Sequence, residues 1–220
     1  DKLKVITPES EVIRKLSQLV EYRRKLVQER VDLTNRITTT LKNYYPHVLD
    51  WFKEKDTIIF CDFILRWPSL AQAKRARKQS FIDFFNLHNS RYSEVNEKRI
   101  HEIKQAEALT NDEAVIAPNL LLIECLIPQL KQLMLSIERF DDEIKALYKQ
   151  HNDRFIFDSL PGAGPQIAPR LLAAMGSNRD RYNSPEEIQK YAGIAPVTER
   201  SGKKEWIHWR YSCTKFLRQT

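Results

Sequence analysis

The stretch Ile123-Glu-Cys-Leu-Ile-Pro-Gln-Leu-Lys-Gln-Leu-Met-Leu-Ser-Ile-Glu-Arg-Phe-Asp-Asp-Glu-Ile-Lys-Ala-Leu147 decides the fold class. Its apolar residues Ile123, Leu126, Leu130, Leu133, Ile137, Phe140, Ile144 and Leu147 recur at alternating spacings of three and four. That period lays them along one face of a helix, as in the seam of a coiled coil. Pro128 removes one backbone donor and predicts a kink near Glu124. A less regular seam precedes it, made of Val12, Leu16, Leu19, Leu26, Leu33 and Ile37 and interrupted by Arg23 and Arg30. Thr7 is placed to cap this earlier helix, Pro8 stands at its first position, and Pro46 ends it. Two long seams separated by shorter pieces predict an antiparallel helical hairpin. Residues 50–110 would be a helical insertion at its tip, with turns at Trp67-Pro68 and Leu87-His88-Asn89-Ser90. Such leucine seams are as a rule core or oligomer contacts.

Working outward, the 220 residues suffice for one large domain or two small ones. All five glycines, at 162, 164, 176, 193 and 202, lie in the last part of the chain. This composition break predicts a helical connector over residues 1–152 and a second domain over 153–220. Lys and Arg outnumber Asp and Glu by 36 to 29, for a formal charge of +7. The excess favours polyanionic partners such as DNA or RNA, and it is unevenly placed. Residues 74–78 read Lys-Arg-Ala-Arg-Lys, with Lys74, Arg75 and Lys78 on one side at helical spacing. That side is either a solvated helix face or a phosphate-contacting one. From residue 200 onward Arg200, Lys203, Lys204, Arg210, Lys215 and Arg218 stand against one acid, Glu205.

Cys61, Cys125 and Cys213 are odd in number and widely spaced. They predict no disulfide framework and a reducing, intracellular setting. No stretch is expected to reach the length and apolarity of a membrane span, so no membrane partner is predicted. The opening residues have neither a Met nor a signal peptide's apolar core, and the last five stop within a helical pattern. Both ends therefore read as cut.

The segment Phe155-Ile-Phe-Asp-Ser-Leu-Pro-Gly-Ala-Gly-Pro-Gln-Ile-Ala-Pro-Arg-Leu-Leu-Ala-Ala-Met-Gly176 reads as a helix-hairpin-helix. Gly162 and Gly164 permit positive φ and a close backbone approach. Free N–H groups at the start of the second helix would face a phosphate. Pro169 is tolerated if that helix begins near Gln166, because a first-turn N–H has no intrahelical partner. Ile167, Leu171 and Leu172 are expected to pack onto Phe155, Ile156 and Leu160, leaving Arg170 to point at a nucleic-acid backbone. The same motif also serves as a plain packing device.

Beyond it, Asn183-Ser-Pro-Glu-Glu-Ile188 reads as a capped helix start, and that helix ends at Gly193. In the following Thr198-Glu-Arg-Ser-Gly-Lys-Lys204, Ser201 lies among Arg200, Lys203 and Lys204. A serine attacking a phosphodiester needs cations against the charge developing on phosphorus and the departing oxygen. On spacing alone, a serine in a basic turn is more often a turn former or a phosphate hydrogen-bonder. Ser212 is the competing serine and equally suits the cap of a final helix. His208 and Cys213 are too few for a zinc site. Trp206 and Trp209 either stack on bases or pack against the hairpin, with packing the commoner outcome.

In this order, the Leu-Pro-Gly-Ala-Gly run from Leu160, the Gly-Ile-Ala-Pro-Val-Thr-Glu-Arg-Ser-Gly run from Gly193 and the Lys-Phe-Leu-Arg run from Lys215 resemble one family. It is the insertion-sequence transposases with an amino-terminal RuvC-like DEDD domain and a carboxy-terminal serine-bearing domain, the bridge-RNA-guided recombinases. The motif match covers residues 155–220, and the helical part before it resembles the family's coiled-coil connector in architecture. The resemblance implies that Ser201 is a nucleophile forming a phosphoserine link to DNA. It implies no metal in this chain, with Mg²⁺ expected on an acidic domain preceding it. It implies DNA and guide RNA as partners, a dimer or tetramer through the coiled coil, and a prokaryotic cytoplasmic location.

The fold expected is mainly α, a coiled-coil connector followed by a helix-hairpin-helix domain. The function expected is that of a DNA transposase or recombinase, with this chain alone inactive for want of the acidic domain. Ser201 is the expected catalytic residue. Gly162, Gly164, Arg170, Arg200, Lys203, Lys204, Arg210, Lys215, Arg218, Lys74, Arg75 and Lys78 are the expected nucleic-acid contacts. The alternatives are a non-catalytic DNA- or RNA-binding module and an oligomerisation device.

Overall fold

The computed structural model describes residues 8–90, 92–178, 180–218 and 220. Those residues are mainly helical. Two long helices, α1 (Glu11–Lys42) and α7 (Glu113–Lys149), frame the chain. Between them run α2 (His47–Trp51), α3 (Ile58–Arg66), α4 (Leu70–Arg75), α5 (Lys78–Leu87) and α6 (Ser93–Gln105). After α7 come α8 (Arg154–Asp158), α9 (Ile167–Met175), α10 (Pro185–Ala192), strands β1 (Val197–Ser201) and β2 (Lys204–His208), and α11 (Lys215–Arg218). The chain divides into two units, one of residues 1–24 with 138–220, the other of residues 25–137. The helices α1 and α7 each contribute to both.

The start of α1 differs from expectation. Ser10 caps it: its hydroxyl accepts the Ile13 N–H at 3.3 Å. Pro8 precedes the helix, and Thr7 lies outside the described residues. The buried seam at this end is Ile13, Leu16 and Val20, while Val12 and Leu19 are half-buried.

In the 25–137 unit, the core is aromatic. Tyr45, Trp51, Phe52, Phe60, Phe63, Trp67, Phe81, Phe84 and Phe85 are all buried. Phe63 sits at their centre, with ring centroids of Phe52 and Trp67 both 5.0 Å away and Phe84 at 5.7 Å. A fully buried side chain of this kind contributes roughly 1.5–3 kcal/mol. Ile37 and Leu41 of α1 and Ile123, Leu126, Ile127 and Leu130 of α7 close the same cluster. Asn43 donates to Asn119 at 3.2 Å. The short helices begin where predicted turns lie: Thr57 caps α3 and Ser69 caps α4 after Trp67-Pro68. The second turn holds Asn89 at φ 53°, a left-handed conformation that asparagine tolerates better than most residues. Tyr44 places its hydroxyl 2.8 Å from the Pro68 carbonyl, and burial drives its pKa well above the ordinary phenol value.

Pro118 and Pro128 both lie inside α7, which continues through them. Each is followed by an amide side chain that bonds a carbonyl of the preceding turn. Asn119 Nδ2 donates to Val115 O at 2.7 Å, and Gln129 Nε2 donates to Cys125 O at 2.9 Å. The carbonyls next to the two missing backbone bonds thus gain a side-chain donor. The expectation that no segment approaches a membrane span needs amending here, since α7 is long and apolar enough by composition to cross one. Its buried residues Ile123, Leu126, Ile127 and Leu130 belong to the aromatic core, and core helices pass the same test of length and composition.

The basic run at 74–78 is not one helix face. The α4 helix ends at Arg75, Ala76 is extended, and α5 begins at Lys78 after Arg77. Lys74 Nζ donates to Ala106 O at 2.8 Å, closing the end of α6. Lys104 Nζ returns the contact, donating to Lys74 O at 2.6 Å. The Lys74 ammonium is thus a helix C-cap, and Arg75 and Lys78 remain exposed on either side of a break.

In the other unit, Ile13, Leu16 and Val20 share a cluster with Ile144, Tyr148, Phe157, Ala168 and Leu172. Arg23 forks onto Asp141, with Nη2 to Oδ2 at 3.1 Å. This pairing and the shared cluster make the start of α1 antiparallel to the end of α7.

Candidate functional site

The segment 154–176 folds as two short helices joined by a turn. Tyr148 of α7 fixes the first, its hydroxyl lying 2.9 Å from Arg154 O and 2.8 Å from Asp158 Oδ1. Phe157 is the buried anchor of α8. Phe155, Ile156 and Leu160, expected in that role, are exposed at 68%, 41% and 42%. Five residues make barely more than one turn, so α8 buries a single position.

Gly162 has φ +80°, as the turn requires. The donors at the start of α9 are already engaged, contrary to expectation. Ile167 N and Ala168 N both donate to Gly164 O at 3.0 Å, and Gly164 N donates to Gly162 O at 3.0 Å. Pro165 and Pro169 have no N–H. The turn therefore closes on itself and does not offer a row of free donors.

Arg170 is half-buried and does not project away from the fold. Its guanidinium lies 5.7 Å from the Phe216 ring centroid, and Phe216 of α11 packs against the unit's core. Burial and then the charges of Arg24 and Arg23 lower its pKa. At the far end of α9, Ser17 Oγ donates to Ala173 O at 3.3 Å and Arg181 Nη2 to Ala174 O at 3.0 Å. The Glu9 carboxylate accepts the Ser177 N–H at 3.0 Å and faces Arg181 at 3.3 Å. Gly176 stands beneath that carboxylate at φ +69°, where a Cβ would overlap it.

The α10 helix ends as its sequence predicts, with Gly193 left-handed at φ 72° and Ile194 N bonded to Gln189 O at 3.1 Å. The next element was not foreseen. Strands β1 and β2 form an antiparallel hairpin in which Ser201 pairs with Lys204, Arg200 with Glu205, Glu199 with Trp206, and Val197 with His208. Gly202 and Lys203 make the two-residue turn, with Gly202 at φ 61°. The available signal was glycine followed by one residue between Val-Thr-Glu-Arg-Ser and Lys-Glu-Trp-Ile-His. Ser201 is thus the last residue of a strand, exposed at the hairpin tip.

This register divides the cations expected around Ser201. Opposed residues share a face, so Ser201, Lys204, Glu199, Trp206 and His208 lie on one side and Arg200 and Glu205 on the other. Arg200 Nε meets Glu205 at 3.1 Å there. His208 shares the serine's face but stands at the opposite end of the ladder. It pairs with Glu199 at 2.9 Å and contacts the Trp209 carbonyl at 3.0 Å through Nδ1. Those contacts raise its pKa above the ordinary imidazole value, the backbone carbonyl first and the carboxylate second.

Trp206 and Trp209 are 48% and 65% exposed. Ser212 is exposed and stands two residues short of Thr214, the residue before α11. Lys215 and Arg218 lie on α11, with Arg218 over the Trp209 ring at 5.0 Å. Among the described residues no three His, Cys, Asp or Glu side chains are gathered as metal ligands.

Comparison with known proteins bears on both ends of the chain. Residues 155–220 match the family described as Transposase IS116/IS110/IS902 family. Residues 1–46 match the DEDD transposase family of IS110 elements, a stretch that the sequence reading gave to the connector. The chain is 27% identical over 211 residues to the "Mini-circle putative transposase for IS117" of Streptomyces coelicolor, covering 92% of this chain and 50% of that protein. It is 23% identical to the IS110 43.6 kDa protein of the same organism, over 87% of this chain and 47% of that one. It is 22% identical to the IS116 44.8 kDa protein of Streptomyces clavuligerus, over 88% and 48%. No solved structure matches significantly. The chain spans about half the length of the curated relatives it matches. The two matched ends and these relatives agree in kind: what the chain is similar to, at both ends, is transposases of IS110, IS116 and related insertion elements.

Proposed function

We propose that this chain is the connector and serine-bearing part of a DNA transposase, with Ser201 as nucleophile. The observation that carries the reading is the placement of Ser201 at an exposed hairpin tip, directly opposite Lys204, inside the segment matched by the transposase family. In this reading the Ser201 oxygen bonds to a phosphorus of the DNA backbone, and a strand oxygen departs. Lys204, with Lys203 at the turn, opposes the negative charge that grows on the phosphoryl group. Arg200 serves the tip through its pairing with Glu205, and the expected role beside the phosphate passes to Lys204. Arg170 lies over Phe216, and Gly162 and Gly164 form the turn that leads into α9. Arg210, Lys215 and Arg218 face the DNA.

The divalent metal belongs, in this reading, to acidic residues supplied from outside the chain, so the chain alone does not cut DNA. Guide RNA would lie along the connector, with Arg75 and Lys78 as phosphate contacts, and α1 and α7 would join copies of the protein as a coiled coil. The whole would work in the cytoplasm on chromosomal or element DNA. The test is a denaturation-resistant protein–DNA adduct, formed by the full-length protein with guide RNA, Mg²⁺ and labelled target. Loss of the adduct in Ser201→Ala, but not in Ser212→Ala, is the expected result. An adduct lost only in Ser212→Ala moves the nucleophile.

A non-catalytic binding module is the second reading, favoured by the exposed tryptophans beside the basic segment. It predicts strand binding that falls steeply with salt and no adduct in any variant.

A further inference from the structure

At the base of the hairpin, a groove of about 350 Å³ opens between the residues entering β1 and those leaving β2. Ile194 and Pro196 form one wall, Ile207 and Trp209 the other, and Arg210 stands at its edge. The groove is largely apolar yet lies open to water. Ile194 is 61% exposed, Ile207 67% and Trp209 65%. These three apolar side chains are exposed together at one place.

Three features give the occupant's chemistry. A flat aromatic surface is available, because the Trp209 indole is uncovered for most of its area. Cations surround it: the Arg218 guanidinium lies 5.0 Å from the indole centroid, and Arg210 lines the groove. The Arg210 Nε atom is buried and has no hydrogen-bond partner among the described residues. Finally, cations are in excess: from residue 199 onward six Lys and Arg stand against Glu199 and Glu205, and Glu199 is paired with His208 of the groove. An apolar slot with a bare indole and arginines at its rim suits a planar base joined to an anionic backbone. An apolar peptide would leave those charges without use, and a duplex hides its base faces.

We propose that this groove takes an unpaired nucleobase of a single nucleic-acid strand. The base stacks on Trp209, and Arg210 and Arg218 hold the flanking phosphates. The proposal rests on the reading of the chain as a DNA-handling protein and adds to it a preference for single strands at a defined place. The stacking chemistry is common to DNA and RNA, so both are tested.

The experiment measures binding of the full chain to labelled oligothymidylate, oligouridylate and a duplex of equal length, at low and moderate salt. The expected result is that Trp209→Ala weakens single-strand binding roughly tenfold and leaves duplex binding within twofold. Trp209→Phe should restore most of the loss, because a ring remains. Trp209 is exposed, so these variants should keep the parent's circular dichroism spectrum. An equal loss on DNA and RNA supports a stacking site for either, and a loss on one identifies the strand. Unchanged single-strand binding in Trp209→Ala, or an equal loss on duplex, overturns the groove while leaving DNA handling intact. Self-association lost in Trp209→Ala with strand binding unchanged assigns the groove to a second copy and also overturns the proposal. Absence of any nucleic-acid binding by the parent chain overturns the functional reading as well.

Discussion

Ser201 faces Lys204 across the last rung of the β1–β2 hairpin, while Arg200, its neighbour in sequence, is turned to the opposite face. The two cations are therefore inequivalent towards any group that approaches the serine. We expect Lys204→Gln to lower adduct formation by the full-length protein by about 10²-fold, the scale for removing a preorganised charge partner. Arg200→Gln should cost less than about fivefold on the same scale. Equal losses in the two variants would mean that the hairpin does not hold this register when DNA is bound.

The Glu9 carboxylate and Gly176 form a second close pair, far apart in sequence. Gly176→Ala meets both a Gly-favoured conformation at φ +69° and the carboxylate above it. We expect it to destabilise the chain by about 2–4 kcal/mol, combining strain with loss of a charge-assisted hydrogen bond. Gly202→Ala, at φ 61° with open space around it, should cost only strain, about 1 kcal/mol. Thermal unfolding of the two variants separates the contributions.

Asp62 accepts from Lys131 and from His88 Nε2, the latter at 3.0 Å. Burial pushes its carboxyl pKa up, but the bonds and charges of Lys131 and His88 together outweigh this and hold it below the ordinary carboxylate value. A lowered folded-state value means that its stabilisation is complete above about pH 4 and is lost as pH falls through the folded value. We expect Lys131→Met to weaken the 25–137 unit near neutral pH and to shift its acid unfolding midpoint upward. Urea unfolding at a series of pH values measures both.

His208 shifts the other way. Its raised pKa means that its contribution to hairpin stability is present below the ordinary value near 6.5 and fades as pH rises through the folded value. Proton NMR titration should find the His208 midpoint above the ordinary imidazole value near 6.5. Glu199→Gln should lower the His208 midpoint, leaving the Trp209 carbonyl contact as the remaining cause.

The parts of the fold legible in the sequence are those whose period repeats often. Ile123 to Leu147 gave α7 because eight apolar positions agree. The α1 seam was read one residue off at Val12, because Ile13 beside it is equally apolar and only packing chooses between them. The aromatic core escaped notice because Tyr45, Trp51, Phe63, Trp67 and Phe81 fall on short segments, none long enough to show a period. The β hairpin was hidden by its composition, since Thr198, Glu199, Arg200, Lys204 and Glu205 leave no apolar alternation to read. The place of Arg170 is not legible in the sequence, because charge alone argues for solvent, whereas Phe216, forty-six residues later, gives its guanidinium a ring to lie on.

The unit that holds Ser201 is assembled from both ends of the chain, residues 1–24 and 138–220, whereas the 25–137 unit is continuous. On a ribosome adding about 5–20 residues per second, the aromatic core can form while its partner is still half made. Ile13, Leu16 and Val20 must wait roughly 2–7 s more, at that rate, for Ile144, Phe157 and Leu172 to emerge. During that interval the amino-terminal stripe is bare, and a nascent chain is most open to chaperones or to pairing with a neighbouring copy. The hairpin bearing the serine follows α8, α9 and α10 in the chain, so its tip is made after those helices.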